Sequence, residues 1–338
     1  MGLKVAMVTP WGKNVRCGIR TYSESLVEAL AQLGVEVYII RLPRFGRKTP
    51  EILQMIAESI PIDKVDLVHV SHEYGLYQDL EGGFYDALKR TGKPILTTCH
   101  AVGNFSIDSI IAEASDRLIV HNEFCRSRLS YPEKTVIIPH GCTPQKCLPM
   151  EEAKRSYGLK PEWPIVGYLG FISNYKGLET IIDAMEGLPD AGLLIGGGWH
   201  IESETIYIAQ IKTKSFNVLP GRVQWLGYVP DEELPKAYGA MDIVVYPSRF
   251  STESGALLMA LSHGKAVIAS DLPPFREKGE AVTTFEDGED LRMKIAMILG
   301  NEELRISLEE KARKYAEDNS WDRIAEKHLE LYEDIITI

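Results

Sequence analysis

Short β-branched apolar runs alternate with amphipathic helical segments along this chain, and that alternation leaves few folds open. Lys4–Pro10 reads as a strand. Ile19, Tyr22, Leu26, Leu30 and Leu33 then mark one face of a long helix that Gly34 ends, and Val35–Arg41 returns as a strand. Strands that are apolar on both faces belong in a parallel sheet covered by helices on both sides. The pattern continues through strands Asp66–Ser71, Ile95–Cys99, Arg117–Val120 and Thr135–Pro139, with helices Glu51–Ser59, Glu81–Arg90, Ile107–Ala114 and Glu123–Leu129 among them. It starts afresh at Val166 and runs through Gly192–Ile195, Val223–Leu226, Asp242–Tyr246 and Ala266–Ser270. The expectation is an α/β protein of two doubly wound, Rossmann-like parallel sheets.

A chain of 338 residues is long for one core, and the proline-rich stretch Pro144–Pro164 is the natural break. Domains of 1–149 and 150–320 follow, with a last helix over 321–338 whose Trp321, Ile324, Ala325, His328, Leu331 and Tyr332 share an apolar side. Net charge is −11 but lopsided: residues 1–150 carry 17 Lys and Arg against 16 Asp and Glu, whereas residues 151–338 carry 20 against 32. Nothing in this balance suits a nucleic acid. One basic cluster stands out, Arg41, Arg44, Arg47 and Lys48, which reads as a solvated loop or as an anchor for an anionic lipid or acceptor. Five cysteines without paired spacing suit a reducing, cytoplasmic location, and no apolar run is long enough for a membrane span. Peripheral contact with a membrane through the basic cluster fits the same reading.

Val166–Ile182 carries the first functional signal. A buried strand leads through Ser173-Asn174-Tyr175 to Lys176-Gly177, where a helix with Leu178, Ile181, Ile182 and Met185 on one face is expected to begin. Such a strand–loop–helix offers a lysine and free backbone N–H groups to an anion, or is an ordinary turn with a solvated lysine. A second helix start of the same kind lies at Ser254-Gly255, closed by Gly264, and two of them suit a diphosphate. Strand Gly192–Ile195 runs into Gly196-Gly197-Gly198, and Asp231 is the expected N-cap of a helix ending at Gly239. In the first half, three strands end in histidine-bearing turns: His72-Glu73-Tyr74-Gly75, His100 and His140-Gly141. Open parallel sheets bind ligands beyond the C-terminal ends of their strands, which makes these histidines candidates. The first loop lacks G-x-G-x-x-G, so a nicotinamide cofactor is not expected.

Taken in order, Cys17-Gly18-Ile19, His72–Gly75, His100, His140-Gly141, Ser173–Gly177 and Glu253-Ser254-Gly255…Gly264-Lys265 resemble the retaining nucleotide-sugar glycosyltransferases of the GT-B fold, the group 1 or family 4-like type. The resemblance runs nearly end to end. It implies transfer of a sugar from a nucleoside diphosphate to a glycan or lipid-linked acceptor, with two domains facing a cleft, the donor on the C-terminal one and the acceptor on the N-terminal one. It assigns catalysis to Lys176, His100 and Glu253. Donor binding falls to Gly18, Ile19, Ser173, Gly198, Tyr228, Val229, Ser254, Gly255 and Ala256, and the acceptor or sugar side to His72, Glu73 and His140. It implies no cofactor, the nucleotide sugar being a substrate, and no metal, since no Asp-x-Asp pair stands at a strand end. The final helix would return to the first domain. Two positions depart from the pattern. Ser251 and Met259 stand where many members carry paired glutamates, the second of which holds the ribose. Phe171 stands where many carry an arginine, and Arg249, Arg16 and Arg20 are the candidates to replace its charge. A nucleotide-sugar 2-epimerase of the same fold and a non-catalytic sugar-nucleotide-binding subunit are the competing readings.

Overall fold

The computed structural model describes residues 2–12, 15, 17–103, 105–198 and 205–337. It divides into two compact units, Met1–Gly141 with Asn319–Ile338, and Cys142–Asp318. The division lies between Gly141 and Cys142 rather than at 149/150. Cys142 joins the core of the second unit. The Gln145 and Leu148 N–H groups donate to the Ser262 and Pro235 carbonyls, tying the linker to that unit.

The first unit holds six parallel strands: β1 (Lys4–Thr9), β2 (Glu36–Arg41), β3 (Leu67–His72), β4 (Ile95–Cys99), β5 (Arg117–Val120) and β6 (Thr135–Ile137), in the order β2-β1-β3-β4-β5-β6. Both faces of the sheet are covered. Ala6 and Val8 of β1 pack into one core with Val68, Val70, Phe84 and Tyr85, while Val5 and Met7 face the other with Tyr22, Leu26, Ile324 and Tyr332. The alternation along β1 is the period-2 geometry of a pleated strand. Helix Gly18–Gln32 stops where Gly34 takes a φ of 82°, a conformation that costs glycine little.

The second unit repeats the plan with β7 (Ile165–Leu169), β8 (Gly192–Gly196), β9 (Val223–Gly227), β10 (Ile243–Tyr246), β11 (Ala266–Ser270) and β12 (Val282–Phe285), all parallel, in the order β12-β11-β10-β7-β8-β9. The edge strand β12 and the helix Gly288–Leu299 after it were not expected from sequence. In Val282-Thr-Thr-Phe285 only the two ends are buried, so the continuous apolar run that betrays a central strand is missing. Asp231 does not cap a helix. It opens a 3₁₀ turn, Asp231–Glu233, and the helix begins at Leu234 with Pro235 in its first turn. The sequence pattern predicts a helix over Ser203–Lys214 between β8 and β9; Ser203 and Glu204 lie outside the described residues, and the helix is Thr205–Val218. Among the described residues no helix is long and apolar enough to cross a membrane.

The returning helix Trp321–Thr337 packs on Gly18–Gln32 and is tied to β3 and β4 by a buried polar network. The His69 ring bonds the Tyr332 hydroxyl at Nδ1 and the Thr98 hydroxyl at Nε2, both at 2.7 Å, so each nitrogen is satisfied in either tautomer. Burial and the neighbouring His328 hold His69 well below the ordinary histidine pKa, keeping it neutral. Tyr332→Phe keeps the ring but strands one buried nitrogen, a loss of about 1–3 kcal/mol. Urea denaturation should register that loss; an unchanged midpoint would show that the hydroxyl is not part of what holds the helix.

Candidate functional site

In the second sheet the chain runs β7, β8, β9 in one direction and then resumes with β10 on the other side of β7. The crevice at that reversal, beyond the C-terminal ends of β7 and β10, is where an open α/β sheet takes its ligand. Two segments border it. After β7, a 3₁₀ turn of Asn174–Lys176 leads to Gly177, whose φ is 66°, and the helix proper begins at Leu178. Lys176 is therefore set off from the helix that was expected to start at it. Gly177 is required twice over: its backbone is left-handed, and a Cβ there would lie 2.4 Å from the Pro247 carbonyl oxygen. Arg249 holds the turn from outside. Its guanidinium donates to the Asn174 carbonyl at 2.9 Å and side chain at 2.7 Å and pairs with Glu179, and its backbone N–H donates to the Tyr175 carbonyl at 2.8 Å.

The Lys176 ammonium makes no hydrogen bond or ion pair among the described residues and lies 4.7 Å from the Tyr175 ring centre. Burial alone pushes its pKa from 10.5 down to about 8. The Ser173 hydroxyl beside it is buried and unbonded among the described residues. A desolvated cation, an unbonded hydroxyl and a helix start thus lie within six residues of one another.

After β10, Ser254 caps helix Gly255–Ser262 by accepting from the Leu257 N–H at 3.3 Å. Gly255 and Ala256 then supply N–H groups that have no carbonyl within the helix. A Cβ at Gly255 would meet nothing within 4 Å, so a ligand can reach the backbone there. The Tyr246 hydroxyl bridges the Ala256 and Leu169 carbonyls at 2.6 and 3.1 Å, fixing this helix start against the end of β7. Glu253 is held tightly. Its Oε1 accepts the Ser254 N–H at 2.9 Å and its Oε2 pairs with Lys278 at 2.6 Å, where both side chains are no more than 5% exposed. Burial opposes the charge on Lys278, but Glu253 and the Tyr315 hydroxyl outweigh it and raise its pKa. Lys278 and Tyr315 carried no motif and were not anticipated.

The glycine turn closes the same edge. Gly170 and Ile172 donate to the Gly196 and Gly198 carbonyls, and Gly197 donates to Gly227. A Cβ on Gly197 would lie 1.8 Å from the Gly170 oxygen. Tyr228 is exposed beside Gly198, and Val229 packs on Gly196. Met259, half-buried against the core, offers only its carbonyl, which the His263 ring takes at 2.7 Å.

The first sheet reverses between β1 and β3, placing Gly18-Ile19 and the turn after His72 at its ligand edge. Helix Gly18–Gln32 starts without a side-chain cap, and Gly18 faces open space. His100 belongs to a directional chain. The Ile138 carbonyl can only accept, so His121 Nδ1 carries the proton given to it at 3.1 Å. With its Nδ1 proton so placed, a neutral His121 can only accept at Nε2, where His100 Nδ1 lies 3.1 Å away. His100 Nε2 is left as a bare acceptor, buried and unbonded among the described residues. Burial first, then the neighbouring His121 and His140, keep His100 neutral by lowering its pKa well below 6.5.

Other expected residues sit differently. His72 is in the core, its Nε2 3.2 Å from the equally buried Glu81 and its ring stacked on Tyr77, so it presents nothing to the edge. Glu73 stays half-buried at the turn. His140 Nδ1 bonds the Gly141 carbonyl at 2.8 Å. Arg20 is engaged with Glu24 and Arg249 with Glu179, so neither is a spare replacement for an arginine at Phe171; Arg16 lies outside the described residues. The basic cluster is not one solvated face, because Arg41 and Arg47 are exposed while Lys48 is buried. Among the described residues no group of three or more His, Cys, Asp or Glu is arranged to hold a metal.

Residues 149–315 match the family model for "Glycosyl transferases group 1". Sulfoquinovosyl transferase SQD2 of Arabidopsis thaliana is 30% identical over 171 residues, which cover 48% of this chain and 32% of that protein. The first curated relatives are spanned over only 32–60% of their own length. Among solved structures, a glycosyltransferase from Rickettsia africae superposes with a TM-score of 0.83 at 21% identity, covering 99% of both chains. HepE from Anabaena, solved in complex with UDP-glucose, superposes with a TM-score of 0.78 at 16% identity, covering 98% of this chain and 100% of that one. The family match lies within the second unit, so residues 149–315 are a group 1 glycosyl transferase region, and the two six-stranded parallel sheets have the GT-B fold.

Proposed function

We propose that this chain transfers a hexose from a nucleoside diphosphate sugar to an acceptor hydroxyl, with retention at the anomeric carbon. The observation that carries the reading is Lys176: a cation pushed down to about 8 by burial, with no counter-charge among the described residues, at a crevice bordered by an open helix start. The donor's diphosphate is the anion of the right size for Lys176, the Ser173 hydroxyl and the N–H groups of Gly255 and Ala256 together. UDP-glucose in the HepE neighbour is a donor of the same class.

Chemistry follows from where charge grows. As the glycosidic bond breaks, negative charge accumulates on the leaving phosphate oxygen, and groups fixed beforehand meet it without reorganising. Glu253, held by Lys278 and the Ser254 N–H, offers its remaining lone pairs to hydroxyls of the donor sugar. Tyr228 and Val229 are assigned to the base. The first unit takes the acceptor, with Glu73 and the bare His100 nitrogen as hydrogen-bonding groups for a sugar. No divalent ion is needed to neutralise the leaving group, and activity should persist in EDTA. Complete loss that magnesium or manganese restores would overturn that assignment. The reaction itself is tested by incubating the protein with candidate sugar nucleotides and acceptors and measuring free nucleoside diphosphate. An epimerase would instead return a changed sugar nucleotide, and a binding subunit would return nothing. The anomeric coupling of the product reports retention.

Lys176→Ala should lower kcat by about 10²–10³, the usual cost of losing one group aimed at developing charge, with a smaller rise in donor KM. Lys176→Arg should restore only part, a wide planar guanidinium replacing a compact ammonium. Near-normal kcat in the alanine variant would make the lysine a bystander.

The depressed pKa adds a signature of its own. Above about pH 8 the free lysine is neutral. A bound diphosphate draws the proton back, so binding of UDP, or of whichever nucleotide the donor screen selects, should take up a proton there and weaken as pH rises. Calorimetry at pH 8.5 in buffers of different ionisation enthalpy measures that uptake, and equal heats in all buffers would show that Lys176 is charged before the ligand arrives.

A further inference from the structure

The first unit contains a second buried cation without a counter-charge. Lys48 is 4% exposed, yet no carboxylate among the described residues pairs with it, and its ammonium reaches only the Gly46 carbonyl at 3.4 Å. Arg44 lies close by with its Nε buried and unbonded among the described residues, and its guanidinium sits 5.5 Å from the centre of the exposed Phe45 ring. Burial, and then the like charge of Arg44, lower the Lys48 pKa. A buried ammonium beside a half-buried guanidinium is unfavourable unless something completes the pair.

The segment is built to hold them there. It leaves β2 at the sheet's C-terminal edge, where Arg41 is in register with Thr9 and the Leu42 N–H donates to the Thr9 carbonyl at 2.9 Å. Gln78 clamps it from the turn after β3. Its Oε1 accepts the Lys48 N–H at 2.9 Å, and its Nε2 donates to the Gly46 carbonyl at 3.1 Å. To do so Gln78 and Asp79 adopt φ of 56° and 63°, a left-handed conformation that non-glycine residues avoid and that persists where the surroundings impose it. Of the neighbouring acids, Glu51 is engaged by the Thr49 hydroxyl and its own N–H, and Asp79 is exposed.

We propose that Lys48 and Arg44 form a receptor for a phosphate group on the acceptor-side edge of the first unit. Lysine supplies a point charge and arginine a planar fork, the two donors that phosphate recognition uses most. A flat anionic surface would call for exposed cations, whereas buried ones suit a compact group that reaches in. Assigning the phosphate to the acceptor rests on the glycosyl-transfer reading, but binding of phosphate does not.

The test uses inorganic phosphate on the full chain in a Lys176→Ala background, which removes the other anion receptor. Calorimetry should still show binding, and adding Lys48→Met, which keeps the apolar stem, should weaken it at least tenfold. Arg44→Gln, at a less buried position, should weaken it in the same direction and covers the case in which the methionine variant fails to fold; melting curves identify that case. Vesicles of phosphatidic acid in phosphatidylcholine separate the sources. Vesicle binding that phosphate displaces places the group on a lipid, and phosphate binding without vesicle binding places it on a soluble acceptor. No phosphate binding in Lys176→Ala, or affinity unchanged by both Lys48→Met and Arg44→Gln, overturns the proposal. These measurements need no turnover, so their failure leaves the glycosyl-transfer reading to its own assay.

Discussion

Gly177 presses a bare α-carbon against the Pro247 carbonyl, and much of the second unit's site depends on that approach. Any side chain there would push apart the segments that follow β7 and β10. The Arg249 bonds to Asn174 and Tyr175 would loosen, and Lys176 would swing toward water, where its pKa would relax to that of an ordinary surface lysine. The arrangement trades stability for readiness. Burying an unpaired ammonium is unfavourable, and a rigid turn keeps it from escaping. On the proposed reading, the donor's diphosphate meets a cation that is already oriented.

How far the sequence foretold this structure depends on what carries each feature. Central strands such as Ile165–Leu169 and Ala266–Ser270 announce themselves, because burial on both faces demands an unbroken apolar run. The edge strand Val282–Phe285 hides, since its two threonines are half-exposed and look like loop. Lys176-Gly177 and Ser254-Gly255 could be singled out because each is a short contiguous stretch at the start of a helix. The Glu253–Lys278–Tyr315 group was not, for its members meet only once separate elements have packed. His72 misled for the opposite reason. Its position at a strand end suggested a ligand, but the side chain alternates inward, where Glu81 is waiting.

The two histidine chains of the first unit show how backbone carbonyls decide side-chain chemistry. Imidazole is symmetric in what it can do until a neighbour commits one nitrogen. At His121 that neighbour is the Ile138 carbonyl, and the commitment passes through one ring to the next, leaving His100 with an acceptor rather than a donor at its inner nitrogen. His69 is settled differently, by two hydroxyls that serve either tautomer and therefore impose no direction. One chain stores polarity and the other only cohesion.

The return of the chain to the first unit at Asn319 bears on how the protein is made. Tyr22 and Leu26 bury themselves against Ile324 and Tyr332, which leave the ribosome only after the whole second unit has been synthesised. At ordinary translation rates that interval is on the order of ten seconds. Throughout it the apolar face of helix Gly18–Gln32 is without its cover, while the second unit, contiguous from Cys142 to Asp318, can close its own core. The unit that comes first in the chain is thus completed after the one that follows it.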